Sequence, residues 1–477
     1  MLFTSFNFLI FLSLVAAVYY LLPYRLRVPF LLAISYVFYG MLQPAFLLLL
    51  IVVTLVGYWG GIGLEEIPRE KSRGMLLAIV IGLLVIVLLF FKYYDFIVAN
   101  LNWVCRYLGN TELLHQMHWL QPVGISFFTF QTFGYVMDVY RKKYPAERMF
   151  IDFALYVAFF PIIQSGPIER GDHLLPQFHT DVRFDYDGII QGMKKMFCGY
   201  FMKLVIAERI FNYLGYYFEA PQFCSSATLW FSMLLYPIGL YADFAGYSLI
   251  AIGVAKVLGI NVNGNFERPF LAENIPGFWR RWHISLTSWM TDYVHTPLTI
   301  FLRDYGIPGI ALASFVVFLL VGVWHGASWN YILFGCVHGI YVAISVLKQK
   351  KLKKFEKRHS LKNNRLYHLA NGLGTYLLVS LAFVLFRCES LAKTAIFYSR
   401  LAGAAGHLDM GMSTVQFAFM FFFALGLLAI ELLQEKYSMK FMDSPNIAFR
   451  WGCCIVLCLG LLLFGCFGNS TFVYLQF

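Results

Sequence analysis

The sequence predicts an all-α polytopic membrane protein with roughly 10–12 transmembrane helices, and its composition and charge-free runs are the observations that predict it. The 477 residues are 60% hydrophobic and only 13% charged, whereas soluble domains contain about 25% charged residues. Asp, Glu, Lys and Arg are absent from 74–91, 305–347 and 451–477. Because a transmembrane helix needs about 20 mostly apolar residues, the run 305–347 is long enough for two spans.

Hydropathy places the individual spans in order along the chain. They lie near residues 6–22, 28–41, 45–61, 74–97, 121–140, 308–325, 330–347, 367–386, 414–433 and 451–468. The first is interpreted as a retained span rather than a cleaved signal peptide. No basic residue precedes it, and Arg25 and Arg27 follow it, which is the reverse of the order in a signal peptide.

The basic residues predict the orientation of these spans. The chain has a formal net charge of +11, and its basic residues concentrate between 141 and 148 and between 348 and 365. Short basic loops beside spans mark the cytoplasmic side and can contact anionic headgroups. We therefore expect cytoplasmic loops at 62–73 and 348–365, and both termini on the extracytoplasmic side. This placement of charge indicates a lipid bilayer as the partner and argues against nucleic acid.

The middle of the chain, roughly 150–305, does not divide into regular spans. Its apolar pieces are short and are interrupted by Pro161, Pro167, Pro237, Pro269 and Pro276. Irregular backbone at membrane depth is tolerated only where it is buried in protein or lines a wet cavity. We therefore expect re-entrant and interfacial helices around a central cavity. No internal repeat has a fixed period, which disfavours the repeat-built transporters.

Residues Ile275–Asp292 predict one amphipathic helix at the membrane interface. Apolar residues recur at spacings of three and four along this segment, which gives the helix one apolar face. Arg280, His283 and Thr287 fall on the opposite face. A helix rich in Trp and Arg lies naturally in the interface plane. His283 is then either a functional group or simply a residue of the polar face.

Two charged residues lie among apolar neighbours in the same region. Asp243 follows "LYA" in a membrane-type segment, where an ionisable residue is costly and indicates a functional site. The alternative is a structural hydrogen bond to a neighbouring helix. Lys203, in "GYFMKLVIAERI", is expected to extend its ammonium group to the interface rather than contact a substrate.

Two histidines stand out in the charge-free run 305–347. On one continuous helix the thirteen residues from His325 to His338 would rotate the second ring by about 220° and raise it by about 20 Å, so the pair does not predict one metal site. Gly326, Ala327 and Ser328 suit a break between two spans. Imidazole exchanges protons near neutral pH, so His325, beside Trp324, is a candidate acid–base group. A helix-packing histidine is the alternative.

The nine cysteines are scattered, mostly inside apolar runs such as the one that contains Cys453, Cys454 and Cys458. Their spacing matches neither a metal site nor a disulfide framework. We expect them to be small packing residues, with no resident metal.

Five segments of the chain form a distinctive set: "MLFTSFNFLIFL" at the start, "SGPIER" at 165–170, "DFAGYS" at 243–248, "FERPFLAENIPGFWRRWHISLTSWMTDYV" at 266–294 and "GVWHGASWNYILFGCVHG" at 322–339. Together they resemble the membrane-bound O-acyltransferase family, known as MBOAT. The resemblance is nearest to the bacterial alginate and peptidoglycan O-acetyltransferase branch. It implies the MBOAT fold over 1–477 as one membrane domain, with N-terminal spans at 1–140, a catalytic core at 150–347 and C-terminal spans at 367–477.

The resemblance also implies an activity and a site. His325 of the "WHG" motif corresponds to the catalytic histidine of the family, and His283 of "RRWH" to a second functional position. Asp243 and His338 correspond to supporting positions of the family, and the residues themselves add Lys203, Arg280, Trp282 and Trp324 as candidate supporting or substrate-binding positions. The implied reaction is acyl transfer, of an acetyl group above all, to a hydroxyl. The donor is acetyl-CoA or another acyl thioester from the cytoplasm, and it is a substrate rather than a bound cofactor.

The implied setting is a bacterial inner membrane, with a separate extracytoplasmic acyltransferase that passes the acyl group to polysaccharide. Chemically, His325 can act as the base that activates the hydroxyl. His283, Trp282 and the backbone near Gly326 can stabilise the oxyanion, and Asp243 can hold an imidazole in one tautomer. A covalent acyl intermediate is an alternative, although no G-x-S-x-G motif is present.

Three other functions remain open at this stage. The first is D-alanyl transfer to teichoic acids. The second is a transporter or flippase that uses Asp243, His283 and His325 as a proton relay. The third is a scaffold without chemistry in a wall-modifying complex.

Overall fold

The computed structural model describes residues 2–109, 111, 114–118, 120–403, 406–408, 411–439 and 441–468. The chain forms two compact units. Of the described residues, those within 2–196 and 248–263 belong to the first unit, and those within 197–247 and 264–468 belong to the second. The predicted extracytoplasmic C-terminus lies outside the described residues.

Helices make up the described part of both units. In chain order they are α1 (Phe6–Leu21), α2 (Tyr24–Leu42), α3 (Leu47–Glu66), α4 (Glu70–Leu88), α5 (Tyr94–Tyr107), α6 (Ile125–Tyr140), α7 (Phe150–Ala158), α8 (Gly171–Phe178), α9 (Tyr186–Tyr200), α10 (Glu208–Glu219), α11 (Ser226–Val257), α12 (Ile275–Arg281), α13 (Ile284–Met290), α14 (Thr296–Phe301), α15 (Gly306–His325), α16 (Trp329–Arg358), α17 (Arg365–Arg387), α18 (Leu391–Leu401), α19 (Thr414–Tyr437) and α20 (Ile447–Phe464). Three π-helical segments continue α4, α9 and α13, at Leu89–Tyr93, Phe201–Ala207 and Thr291–His295.

The predicted class, an all-α polytopic membrane protein, is confirmed. Within the described residues, nine helical segments are long and apolar enough to cross a membrane: Tyr24–Leu42, Pro44–Glu66, Glu70–Tyr107, Ser226–Val257, Arg303–His325, Trp329–Arg358, Arg365–Arg387, Thr414–Tyr437 and Ile447–Phe464. The apolar helix α1 is shorter. Each predicted span overlaps a helix, and the one predicted at 121–140 overlaps the short, mostly buried α6.

The prediction that prolines break the middle of the chain into short pieces was wrong for α11. This helix runs unbroken for 32 residues through Pro237. Its most apolar window is 94% buried, so protein rather than lipid surrounds it. A proline inside a helix removes one backbone hydrogen bond, and packing on all sides can compensate for that loss.

The predicted basic loop at 348–365 is also corrected. Helix α16 continues to Arg358, and its residues from Lys348 onward are exposed except for the half-buried Glu356. Lys, Leu, Gln and Glu favour helix, so the end of the apolar run does not end the helix. It ends where Ser360 takes a left-handed conformation, with φ of 53°.

In the second unit, α15 and α16 form a closely packed antiparallel hairpin. A Cβ atom added at Gly322 would lie 2.4 Å from the carbonyl oxygen of Tyr331 and 2.8 Å from Cα of Gly335. One added at Gly335 would lie 2.4 Å from the carbonyl oxygen of Phe318. The two backbones therefore touch where neither residue has a side chain. This contact fixes the position of every side chain on the facing surfaces of the hairpin.

We predict that Gly335→Ala destabilises the protein by about 1–3 kcal/mol, because the new methyl group would overlap backbone atoms that cannot rotate away. Thermal unfolding in detergent measures the effect. The matched control is Gly372→Ala in α17, where an added Cβ has nothing within 4 Å. Equal unfolding temperatures for the two variants would contradict the close contact.

Candidate functional site

Three buried histidines come together in the second unit. His283 lies between α12 and α13, His325 is the last residue of α15, and His338 lies on the third turn of α16. Their exposed fractions are 0%, 2% and 0%. Imidazole is a polar side chain, so burial at this level requires hydrogen bonds or a function.

The continuous helix predicted over Ile275–Asp292 was wrong, because the chain breaks at His283, with φ of 48°. The backbone around the break pairs with an earlier segment instead. The N–H of Glu267 donates to the carbonyl of Arg281, and the N–H of Ile284 donates to the carbonyl of Asn265, both at 2.9 Å. His283 is therefore buried, whereas Arg280 is exposed, so the predicted shared polar face is absent.

The side chain of Asn265 sets the tautomer of His283. Its Oδ1 accepts from both the backbone N–H and the hydroxyl of Ser285, at 3.1 and 3.0 Å, and lies 3.2 Å from Nδ1 of His283. An acceptor next to Nδ1 requires the proton on Nδ1, which leaves a lone pair on Nε2. Burial lowers the pKa of His283 to about 3. The ring is therefore neutral at physiological pH and presents an acceptor.

Trp324 connects His283 with His325. Its ring centroid is 5.6 Å from that of His283 and 5.1 Å from that of His325. His325 also contacts Phe334 at 5.7 Å and Phe386 at 5.1 Å. Helix α15 ends at this residue, so the negative end of the helix dipole favours a positive charge on the imidazole.

His338 belongs to the same aromatic cluster, because the predicted break after His325 is confirmed. Helix α15 ends at 325 and α16 begins at 329. The hairpin lets both rings contact Phe334, which is 4.6 Å from His338. They therefore do not face apart as they would on one continuous helix. The indole N–H of Trp279 donates to Nδ1 of His338 at 3.1 Å.

Asp243 and Lys203 form a buried ion pair. The Lys203 ammonium group contacts Asp243 and also Glu208, the latter at 2.6 Å. Both Lys203 and Asp243 are almost completely buried. The prediction that Lys203 reaches the interface was wrong, because two carboxylates hold its charge inside the protein. Asp243 thus contacts an ammonium group, and the adjacent Phe244 packs on His283 at 4.7 Å.

Trp282 is a packing residue of the site wall. Its ring stacks on Phe278 at 5.4 Å and meets the edge of Phe266 at 5.1 Å.

The hydroxyl of Tyr241 donates to the buried carboxylate of Glu431. Sequence reasoning missed Glu431, although it stands in the otherwise charge-free stretch 414–433 and that signal could have revealed it. It also missed Asn265 and Trp279, whose side chains do not titrate and so gave no comparable signal.

Within the described part of the chain, one group of side chains has metal-ligand spacing, and it lies in the first unit. Ligand atoms of Glu147, Asp152 and His179 all lie within 4.8 Å of one another. The imidazole already bridges the two acids, with Nε2 3.1 Å from Glu147 and Nδ1 3.4 Å from Asp152. Direct ion pairs therefore account for this arrangement.

Buried imidazoles inside a bundle of membrane helices indicate a membrane protein with an acid–base or proton-transfer site. The particular family follows from the sequence. Residues 83–391 match the model of MBOAT, the membrane-bound O-acyltransferase family, and the chain belongs to this family. The protein is therefore an O-acyltransferase, which confirms the predicted class of enzyme.

Three relatives illustrate the range of similarity. A probable alginate O-acetylase AlgI from Pseudomonas aeruginosa is 34% identical, over 94% of this chain and 86% of its own length. A peptidoglycan O-acetyltransferase from Helicobacter pylori is 28% identical, over 93% and 90%. A teichoic acid D-alanyltransferase from Bacillus subtilis is 29% identical, over 54% and 67%. The predicted O-acetyltransferase-like branch is confirmed.

We predict that Lys203→Met destabilises the protein by about 3–5 kcal/mol, because it leaves two buried carboxylates without their cation. Asp243→Asn should cost less, since Glu208 still pairs with the ammonium group. Thermal unfolding in detergent compares the two variants. Lys393→Met, which removes an exposed pair with Glu389, is the control and should change little. A larger loss for Asp243→Asn than for Lys203→Met would contradict the shared pairing.

Proposed function

We propose that this protein takes an acetyl group from a cytoplasmic thioester and moves it across the membrane for O-acetylation of a cell-surface or exported polysaccharide. The observation that carries the proposal is His325, buried at the end of α15 beside Trp324 and His283. The named activities of the alginate and peptidoglycan relatives support acetyl transfer to polysaccharide.

In the proposed mechanism His325 is the general base. It removes the proton of the attacking hydroxyl, and a positioned base of this kind contributes roughly 10²–10⁴-fold to the rate. The C-terminal end of α15 stabilises the imidazolium that forms. The aromatic rings around His325 exclude water, which strengthens these electrostatic effects.

His283 has a different role in this mechanism. Its Nε2 lone pair accepts a hydrogen bond from another hydroxyl or N–H group of the bound reactants and so orients them, because the single proton of the attacking hydroxyl goes to His325. With a pKa of about 3, the ring is a poor proton acceptor near neutral pH. His283 is therefore an orienting group, and Asn265 is the residue that keeps its lone pair on Nε2.

The donor in this proposal is acetyl-CoA or another acyl thioester, and the protein sits in a bacterial inner membrane. A separate extracytoplasmic acyltransferase passes the acetyl group on to the polymer. D-alanyl transfer has less support, because the matched D-alanyltransferase covers 54% of this chain against 94% for the alginate O-acetylase.

We predict that His325→Gln abolishes surface acetylation, because glutamine cannot accept the proton, whereas His283→Gln retains a measurable fraction, because glutamine can still accept a hydrogen bond. Both variants are compared at matched levels of folded protein. Mass spectrometry of surface glycans and turnover of a labelled acetyl thioester in detergent, without a gradient, are the two measurements.

The exposed His368→Gln is the matched control and should behave like the wild-type protein. Unchanged glycan acetylation in cells that lack the protein would refute the proposed function as a whole. An inactive His283→Gln beside an active His325→Gln would exchange the two roles.

The proposed topology places the N-terminus outside and the basic end of α16 in the cytoplasm. We predict that an impermeant thiol reagent, applied to intact cells, labels Thr4→Cys but not Lys353→Cys in a background without native cysteines. Permeabilised cells, in which both sites should react, provide the control. Labelling of Lys353→Cys alone in intact cells would invert the model.

A further inference from the structure

His338 has a hydrogen-bond donor for which the described residues provide no acceptor. Because Trp279 can only donate, Nδ1 of His338 must accept, and the proton of the neutral ring lies on Nε2. Nε2 is buried and has no hydrogen-bond partner among the described residues. A buried donor without an acceptor is costly, and such groups in native proteins usually have a function or a bound partner.

Aromatic rings surround this donor. Their centroids lie 4.6–6.4 Å from that of His338 and belong to Trp279, Phe318, Phe334, Tyr341 and Phe383. The only polar atoms that these five rings carry are the indole N–H already given to His338 and the Tyr341 hydroxyl. A sugar would leave several hydroxyls unsatisfied there, whereas a short acyl group has one acceptor oxygen and an apolar remainder.

The donor and the proposed base contact the same aromatic ring. His325 and His338 both contact the ring of Phe334, at 5.7 and 4.6 Å. The backbone contact at Gly322 and Gly335 holds the two helices at a fixed separation. An acyl group that reached both imidazoles would therefore meet a base and a hydrogen-bond donor.

We propose that Nε2–H of His338 donates a hydrogen bond to the carbonyl oxygen of the donor's acyl group, and that the surrounding rings restrict this group to a short chain. The inference rests on the proposed function and deepens it. Trp279 is a positioning residue, because its N–H keeps the His338 proton on Nε2.

The step balances as follows. The acceptor oxygen bonds to the carbonyl carbon while its proton passes to His325. The carbonyl π pair moves to oxygen, and the resulting oxyanion strengthens the hydrogen bond from His338, which keeps its proton. The oxyanion pair then re-forms the carbonyl as the carbon–sulfur bond breaks, and the leaving thiolate takes the proton from the His325 imidazolium.

The test uses two matched analogues that cannot transfer an acyl group. S-acetonyl-CoA has a ketone oxygen, and S-propyl-CoA replaces that carbonyl by a methylene group. The full-length wild-type protein in detergent should bind the ketone about fivefold more tightly, the effect of one hydrogen bond. His338→Leu should bind the two with equal affinity, and His338→Gln, which keeps an N–H, should retain part of the preference.

Two further variants separate this role from a purely structural one. Trp279→Phe keeps an aromatic ring but removes the N–H, so the preference for the ketone should fall although the protein still folds. The exposed His368→Gln should keep the full preference. In ¹⁵N-histidine spectra of the wild-type protein, His338 should show the Nε2–H tautomer, and its proton should shift with the ketone but not with the thioether.

The possible failures are distinguishable. If the wild-type protein binds neither analogue, the CoA thioester of the proposed function is wrong and this inference falls with it. If it binds both equally, the donor class stands and the role of His338 is refuted. A ketone preference that persists in His338→Leu, or an Nε2 proton that does not respond to the ketone, also refutes the inference and indicates a buried water or a packing role instead.

Discussion

The direct backbone contact between α15 and α16 is the constraint on which the candidate site depends. Because Gly322 and Gly335 have no side chains, the helices approach until atoms of one backbone touch the other. At this separation, residues that are thirteen positions apart in the sequence share Phe334 as a neighbour. In a wider hairpin the two imidazoles would not share a neighbouring ring. The relative position of His325 and His338 therefore depends on two glycines.

Most of the membrane helices could be predicted from hydropathy alone, because the bilayer imposes one length and one polarity on every span. The failures have physical reasons. Pro237 was expected to end a helix, but α11 is so deeply packed that the loss of one hydrogen bond is tolerated. The segment Ile275–Asp292 is helical, as its apolar spacing predicts, except around His283. There the helix is interrupted because the chain forms backbone hydrogen bonds with Asn265 and Glu267. A local sequence pattern does not predict backbone pairing with a segment that lies about twenty residues away.

The sequence predicted which histidines form the candidate site, but not which ring nitrogen of each histidine carries the proton. Family motifs pointed to His283 and His325, and the absence of nearby charges drew attention to His338. Which ring nitrogen of His283 and of His338 carries the proton depends on Asn265 and Trp279. Neither of these residues titrates, so no sequence pattern singles them out. The prediction for Lys203 was wrong for a similar reason. Its pairing with Asp243 and Glu208 depends on the fold, which brings these residues together.

The charged end of α16 has a consequence for the depth of the chemistry. A row of lysines cannot enter hydrocarbon at low cost, so the helix cannot slide along its axis towards the other leaflet. His338 precedes Lys348 by ten residues, which is about 15 Å of helix. Since the hydrocarbon layer is about 30 Å thick, Lys348 at its boundary puts His338 near the midplane of the bilayer. Reactants that enter from opposite sides would then each cross half of the membrane before they meet.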